Sequence, residues 1–140
     1  MRSMIALALM TLASCSSAED QRIAVDAVSR FHDLYNAKNY AAIYAGADDA
    51  FHKAGSETDY LTLMSAIRRK LGSYRSSEDA GWRVSKALGG TQVVLDYRSQ
   101  FAEGAATEQF IFSISSGKPY LVNYYINSPL GDIPALRAAA

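Results

Sequence analysis

Hydrophobic and polar positions change their period once along this chain. Over residues 21–38, Ala24, Ala27, Val28, Phe31, Leu34 and Tyr35 recur three and four positions apart, while Asp26, Arg30 and Asp33 fall off that stripe. Such spacing lines up one face of an α-helix and predicts one here. Asn39 is placed to cap a second, short helix over 40–45, closed near Gly46. Ser56-Glu57-Thr58-Asp59 fits the Ser-x-x-acid cap of a third helix, which Gly72 stops. Between them Tyr60, Met64, Ile67 and Leu71 make the apolar stripe. Arg68, Arg69 and Lys70 fill the last turn, where cations offset the helix dipole.

From Trp82 onward the period is two. Val93, Leu95, Tyr97 and Phe101 alternate with Gln92, Asp96, Arg98 and Gln100, and Val94 is the apolar exception. Phe110, Phe112 and Ile114 alternate in the next run, and Tyr120, Val122, Tyr124 and Ile126 in the last. Trp82 to Leu88 supplies a first strand, whereas residues 73–81 fit neither period. Gly89-Gly90, Ala102-Glu103-Gly104 and Ser116-Gly117-Lys118 are short, glycine-bearing connections of the kind hairpins use. The fold class is therefore α+β: N-terminal helices packed on one face of a curved antiparallel sheet, in a single domain over 21–128. From Ser128 on, two prolines and a run of alanines predict a tail over 129–140 with no packing signal.

The first residues read differently. Met1-Arg2-Ser3 carries one positive charge, and the nine residues from Met4 to Leu12 form an apolar segment interrupted by Thr11, far short of the ~20 that span a bilayer. Leu12-Ala13-Ser14-Cys15 then resembles the lipobox of bacterial lipoproteins. The resemblance implies a signal peptide over 1–14, cleavage before Cys15, and acyl chains such as palmitate on Cys15. Residues 15–20 would form a polar tether, with a reach of about 20 Å if extended. The protein would then sit in the cell envelope, and Ser16 in place of an aspartate favours the outer membrane, facing the periplasm. The alternative is a plain signal peptide cut after Ala18, at Ser16-Ser17-Ala18. Cys15 is the sole cysteine, so it has no disulfide partner within the chain.

Charge narrows the function classes. The 14 basic and 14 acidic residues cancel, and removing Arg2 with the leader leaves the mature chain about one charge negative. It lacks the basic footprint of a nucleic-acid binder. His32 and His52 lie far apart, and no run of His, Cys, Asp or Glu has metal-ligand spacing, so neither metal nor cofactor is expected. His32 on a helix flank and His52 in a loop read as ordinary polar residues. A nucleophile elbow and a phosphate-cradling glycine loop are both missing.

Glu108 stands out by parity, because it shares a face with Phe110, Phe112 and Ile114, the face expected to look inward. A carboxylate there must be paired, protonated or close to water. Tyr97 and Tyr124 have the same inward parity on neighbouring strands and are candidates to line a cavity with it. The preferred reading nevertheless puts Glu108 at the sheet margin beside a basic side chain, with the tyrosines as core and their hydroxyls at the edge. Tyr125 has outward parity and is a candidate for an interface.

The order of elements, with Phe101-Ala102-Glu103-Gly104, Glu108-Gln109-Phe110 and Tyr124-Tyr125-Ile126-Asn127-Ser128, resembles the ketosteroid-isomerase-like, or nuclear-transport-factor-like, cone fold over about 21–128. More narrowly, the chain is similar to small bacterial lipoproteins of that type; a cystatin-like sheet around one long helix is the nearest competitor. The resemblance implies a cavity between helices and sheet. Steroid isomerases place a carboxylate base and a tyrosine-containing oxyanion pair there, but their motif does not map onto this chain residue by residue. The expected function is a non-catalytic, membrane-tethered envelope domain that binds a small apolar ligand or a protein partner. The alternatives are an isomerase- or hydratase-like enzyme using Glu108, and a structural adaptor acting through its outer surface.

Overall fold

The stripe that predicts the first helix is the face this helix buries: Ala24, Val28, Phe31 and Tyr35 are all enclosed. In the computed structural model, which describes residues 15–87 and 90–130, this helix (α1) runs Cys15–Asn36. It is followed by α2 (Tyr40–Ala45), α3 (Asp49–Ala54) and α4 (Glu57–Leu71). The leader over 1–14 and most of the expected tail lie outside the described residues.

Caps act where the sequence places them. The Asn39 side chain accepts from the Ala42 N–H at 3.3 Å, and Ser56 Oγ accepts from the Asp59 N–H at 3.1 Å. Arg68 does more than offset a dipole. Its Nη1 donates to the carbonyls of Tyr35 and Asn36 at 3.1 and 3.3 Å, satisfying orphan acceptors at the C-terminus of α1.

Two helical expectations are corrected. Residues 16–20 are not an extended tether but the first turns of α1, where Glu19 and Arg22 pair at 2.6 Å. Residues 49–54 form α3, so His52 is helical rather than in a loop. Asp48 starts α3 by accepting from the Ala50 N–H at 2.9 Å. This helix buries no residue, so it leaves no apolar period for a sequence reading to detect.

The strands β1 (Tyr74–Ala87), β2 (Gly90–Phe101), β3 (Gly104–Ser115) and β4 (Lys118–Asn127) form one antiparallel meander in the order β1-β2-β3-β4. The sheet is curved and unclosed, with the helices on its inner face. The α+β expectation is met. Val93, Leu95, Phe101, Phe110, Phe112 and Ile114 are buried as their parity requires.

Residues 73–81 lack a period for a physical reason. β1 begins at Tyr74 rather than near Trp82, and its register with β2 slips between Tyr74 and Ser76 and again between Asp79 and Gly81. Each slip inserts one residue and reverses the alternation. Tyr74, Ser77, Asp79 and Trp82 consequently pair with the inward-parity residues Phe101, Ser99, Tyr97 and Leu95.

A third slip corrects the expected face of β4. Ile111 pairs with Asn123 but Phe112 with Leu121, which leaves Val122 extra. Leu121 is buried in place of Val122 and Tyr120, both of which are half-buried. Packing also continues past β4. Ser128 is buried and donates to the Ala105 carbonyl at 2.9 Å.

Candidate functional site

Glu108 sits in the middle of β3, flanked by β2 and β4, and its side chain is fully buried. It is interior, not marginal. Three elements supply its partners. His32 Nε2 from α1 lies 2.9 Å from Oε1, Ser99 from β2 donates to Oε1 at 2.5 Å, and Tyr124 from β4 donates to Oε2 at 2.5 Å. With Glu108 ionised, its oxygens only accept, and the proton of this pairing is then carried on Nε2. An unpaired buried carboxylate is very costly, and these donors offset that cost.

The network extends to the edge of the sheet with a fixed direction. Ser99 Oγ lies 2.9 Å from Ser77 Oγ, which lies 2.8 Å from the Tyr74 hydroxyl. Ser99 has one hydroxyl proton and gives it to Glu108. Ser77 must therefore donate to Ser99, and Tyr74 to Ser77. The Tyr74 ring closes the circuit by stacking on the His32 imidazole, 3.6 Å between centroids and 6° from parallel. Half-buried Tyr74 thus covers the imidazole from the β1 side.

Of the positions singled out by parity, Tyr124 joins Glu108 and Tyr97 does not. Tyr97 is half-buried, with its ring edge-on to Phe110 at 6.0 Å. Burial, reinforced by the nearby Glu108 charge, pushes the Tyr124 hydroxyl well above its ordinary pKa. Burial first, then Asp79, pushes Tyr97 up to about 12. Sequence reasoning missed His32, Ser99, Ser77 and Tyr74. A signal for His32 was present: it lies four residues after Val28 and three before Tyr35, on the buried stripe. Ser77 was hidden by the β1 bulges.

An acid, an imidazole and several hydroxyls could move protons, but a catalyst must touch its substrate. His32 and Glu108 are sealed. Around them Phe31, Phe110 and Tyr124 pack ring against ring, with centroids 4.7–5.0 Å apart.

An open groove of about 520 Å³ lies elsewhere, its lining including Asp96, Thr107, Gln109, Tyr125 and Asn127. These residues have outward parity, so the groove is on the face turned away from the helices. Tyr97, Glu108 and Ile126, of inward parity, also border it, although the Glu108 side chain itself is fully buried. Tyr125 is 47% exposed, as its parity predicts. Cys15 begins α1, and Ser16 Oγ accepts from Lys86 Nζ at 3.4 Å, which sets the start of the helix beside the end of β1.

Fold and site together define a small α+β domain with a sealed polar network at its centre. Residues 27–125 match the family described as protein of unknown function (DUF4019), and the chain belongs to that family. The match runs from α1 into β4 and contains every member of the network. No curated protein matches the chain.

Proposed function

We propose that this chain is a bacterial envelope lipoprotein, anchored through acyl chains on Cys15 in the outer membrane and facing the periplasm, whose domain binds a partner without transforming it. The lipobox-like Leu12-Ala13-Ser14-Cys15 supports the anchor. Helices followed by a curved meander support a ketosteroid-isomerase-like or nuclear-transport-factor-like relationship. The observation that carries the non-catalytic reading is the sealing of Glu108: its oxygens are engaged by protein donors, and solvent does not reach its side chain. In this reading the network is structural. It ties α1 to all four strands, and binding falls to the outer groove because aromatic rings occupy the space where an apolar ligand would sit.

Two measurements test the proposal. Protein expressed in a bacterium should incorporate a fatty-acid analogue, and Cys15→Ser should abolish both labelling and membrane retention; unlabelled, soluble wild-type protein would refute the anchor. Diethyl pyrocarbonate should leave His32 of the folded protein unmodified under conditions that modify free imidazole. Rapid modification of His32 would favour the second reading, an isomerase- or hydratase-like enzyme, which the Glu108–His32 pairing would suit if Tyr74 moved aside.

A further inference from the structure

The groove on the outer face is built from two neighbouring rows of side chains. Asp96, Gln109 and Tyr125 stand side by side on β2, β3 and β4, and Thr107 pairs with Asn127 in the next row. Strands lie about 4.8 Å apart, so the first row spans about 10 Å. Its members are held in place before any ligand arrives. Gln109 Nε2 donates to Asp96 Oδ1 at 2.8 Å. Asn123 Nδ2 donates to the Tyr125 hydroxyl at 2.7 Å, while Asn123 Oδ1 accepts from the Tyr124 N–H at 2.9 Å. The Tyr125 ring is thereby pinned at its polar end with about half its surface open.

The chemistry of this lining selects a ligand class. Its outward-facing members combine an exposed aromatic ring with two amides, a hydroxyl and one carboxylate, and Arg98, two residues after Asp96 on the same face, stands beside Thr107 at the margin. Gln109 and Asn127 offer both donors and acceptors, and Asp96 retains acceptor capacity beyond its bond to Gln109. A phosphate or carboxylate ligand would meet Asp96, and the neighbouring cation, Arg98, already faces Glu78 at 3.8 Å. An added peptide strand would pair along the outer edge of β4 rather than lie on the face between β2 and β4 where these side chains stand. A pyranose ring fits both halves of the lining: its C–H face packs on an aromatic ring, and its hydroxyls pair with planar amides and carboxylates. The charge matches too, since a neutral polyol supplies the donors that Asp96 accepts. The volume falls in the ~300–1,000 Å³ range of small-molecule sites.

We propose that this groove is a glycan-binding subsite for a short, neutral oligosaccharide, with Tyr125 as the stacking platform and Asp96, Gln109 and Asn127 as the hydroxyl-binding groups. The proposal rests on the reading that the domain binds through its outer face. Two sources share this chemistry, an N-acetylated hexosamine strand of the envelope and an unmodified glucan.

The test titrates the full lipidated chain in detergent with N-acetylglucosamine tetramer in one arm and cellotetraose in the other, read by amide NMR. Saturable shifts should centre on Asp96, Thr107, Gln109, Tyr125 and Asn127. Response to the tetramer of N-acetylglucosamine alone assigns the hexosamine source; equal response to both assigns a general glucan subsite. Tyr125→Ala should weaken binding about tenfold, and Tyr125→Phe, which keeps the ring, by no more than about threefold. Tyr125 is exposed, so both variants should fold, which circular dichroism checks. Absence of saturable shifts with either sugar, shifts centred elsewhere, or indifference to Tyr125→Ala would overturn the glycan proposal. A photo-crosslinker at position 125 that captures an envelope protein in cells, with no response to sugar, would sink the glycan while leaving the broader binding reading standing.

Discussion

At the residue scale, the decisive feature is one carboxylate held by partners from α1, β2 and β4. Removing one member of a buried hydrogen-bonded pair strands the polar atoms of the other and costs about 1–3 kcal/mol, more where the stranded group is charged, whereas an apolar replacement of both can be close to neutral. Glu108→Leu alone should therefore destabilise the domain by about that amount. His32→Leu/Glu108→Leu should be less destabilised than the sum of the single variants by about 1–3 kcal/mol, measured by urea unfolding. Strict additivity would mean that the two side chains do not act as a pair. Tyr124 adds a pH signature. Its folded pKa is raised, so the unfolded state loses this proton first, near pH 10. The stabilisation is complete below about pH 10 and is lost as pH rises through the folded value. Tyr97, raised to about 12, acts in the same direction. Unfolding free energies measured across the alkaline range should fall with pH, and Tyr124→Phe should make the fall shallower. An unchanged slope would show that this hydroxyl does not couple to folding.

At the element scale, the α4–β1 junction constrains the fold most tightly. Gly72 has φ +74°, and a Cβ there would stand 2.8 Å from the Ala102 Cβ. The neighbouring Ser73 and Leu71 carbonyls accept from the Ala102 and Glu103 N–H groups at 2.8 and 2.9 Å, so the β2–β3 turn cannot retreat without breaking both bonds. Gly72→Ala should cost about 2 kcal/mol or more, from the backbone conformation and the contact together. A thermal midpoint unchanged from wild type would show that the junction yields. This glycine was legible as a helix stop, because punctuation is local. Its contact with Ala102 was not, because two segments some thirty residues apart must first be brought together.

At the scale of the whole molecule, α1 sets the orientation that the proposed anchor would impose. The helix begins at Cys15 with no extended spacer, its start lies beside Lys86, and its end meets Tyr74 through two bonds between Asn36 and the Tyr74 backbone. The end of β1, the start of β2 and the β3–β4 connection therefore lie at the end that would carry the proposed anchor, and the β2–β3 connection is at the far end. With the lipidated chain in bilayers carrying paramagnetic headgroups, amides of Lys86 and Lys118 should broaden and those of Ala102 to Gly104 should stay sharp. The reverse pattern, or uniform broadening, would contradict a rigid stand. Among the described residues no helix is long and apolar enough to cross a membrane.

The order of helices before meander, the caps at Asn39 and Ser56, and the inward parity of β2 and β3 were all readable along the chain. Each of these follows from spacing within one segment, where a side chain's direction depends only on its own helix or strand period. The lipobox resemblance also belongs to the sequence alone. The remainder depended on contacts between segments. The three bulges shift alternation by one residue, and no local pattern marks where. The pairing of His32 with Glu108 joins positions 76 residues apart in the chain, so it exists only once α1 lies across the sheet. Parity placed Glu108 on the inner face, but packing alone decided that the acid would be sealed among donors rather than left at the wall of an open cavity.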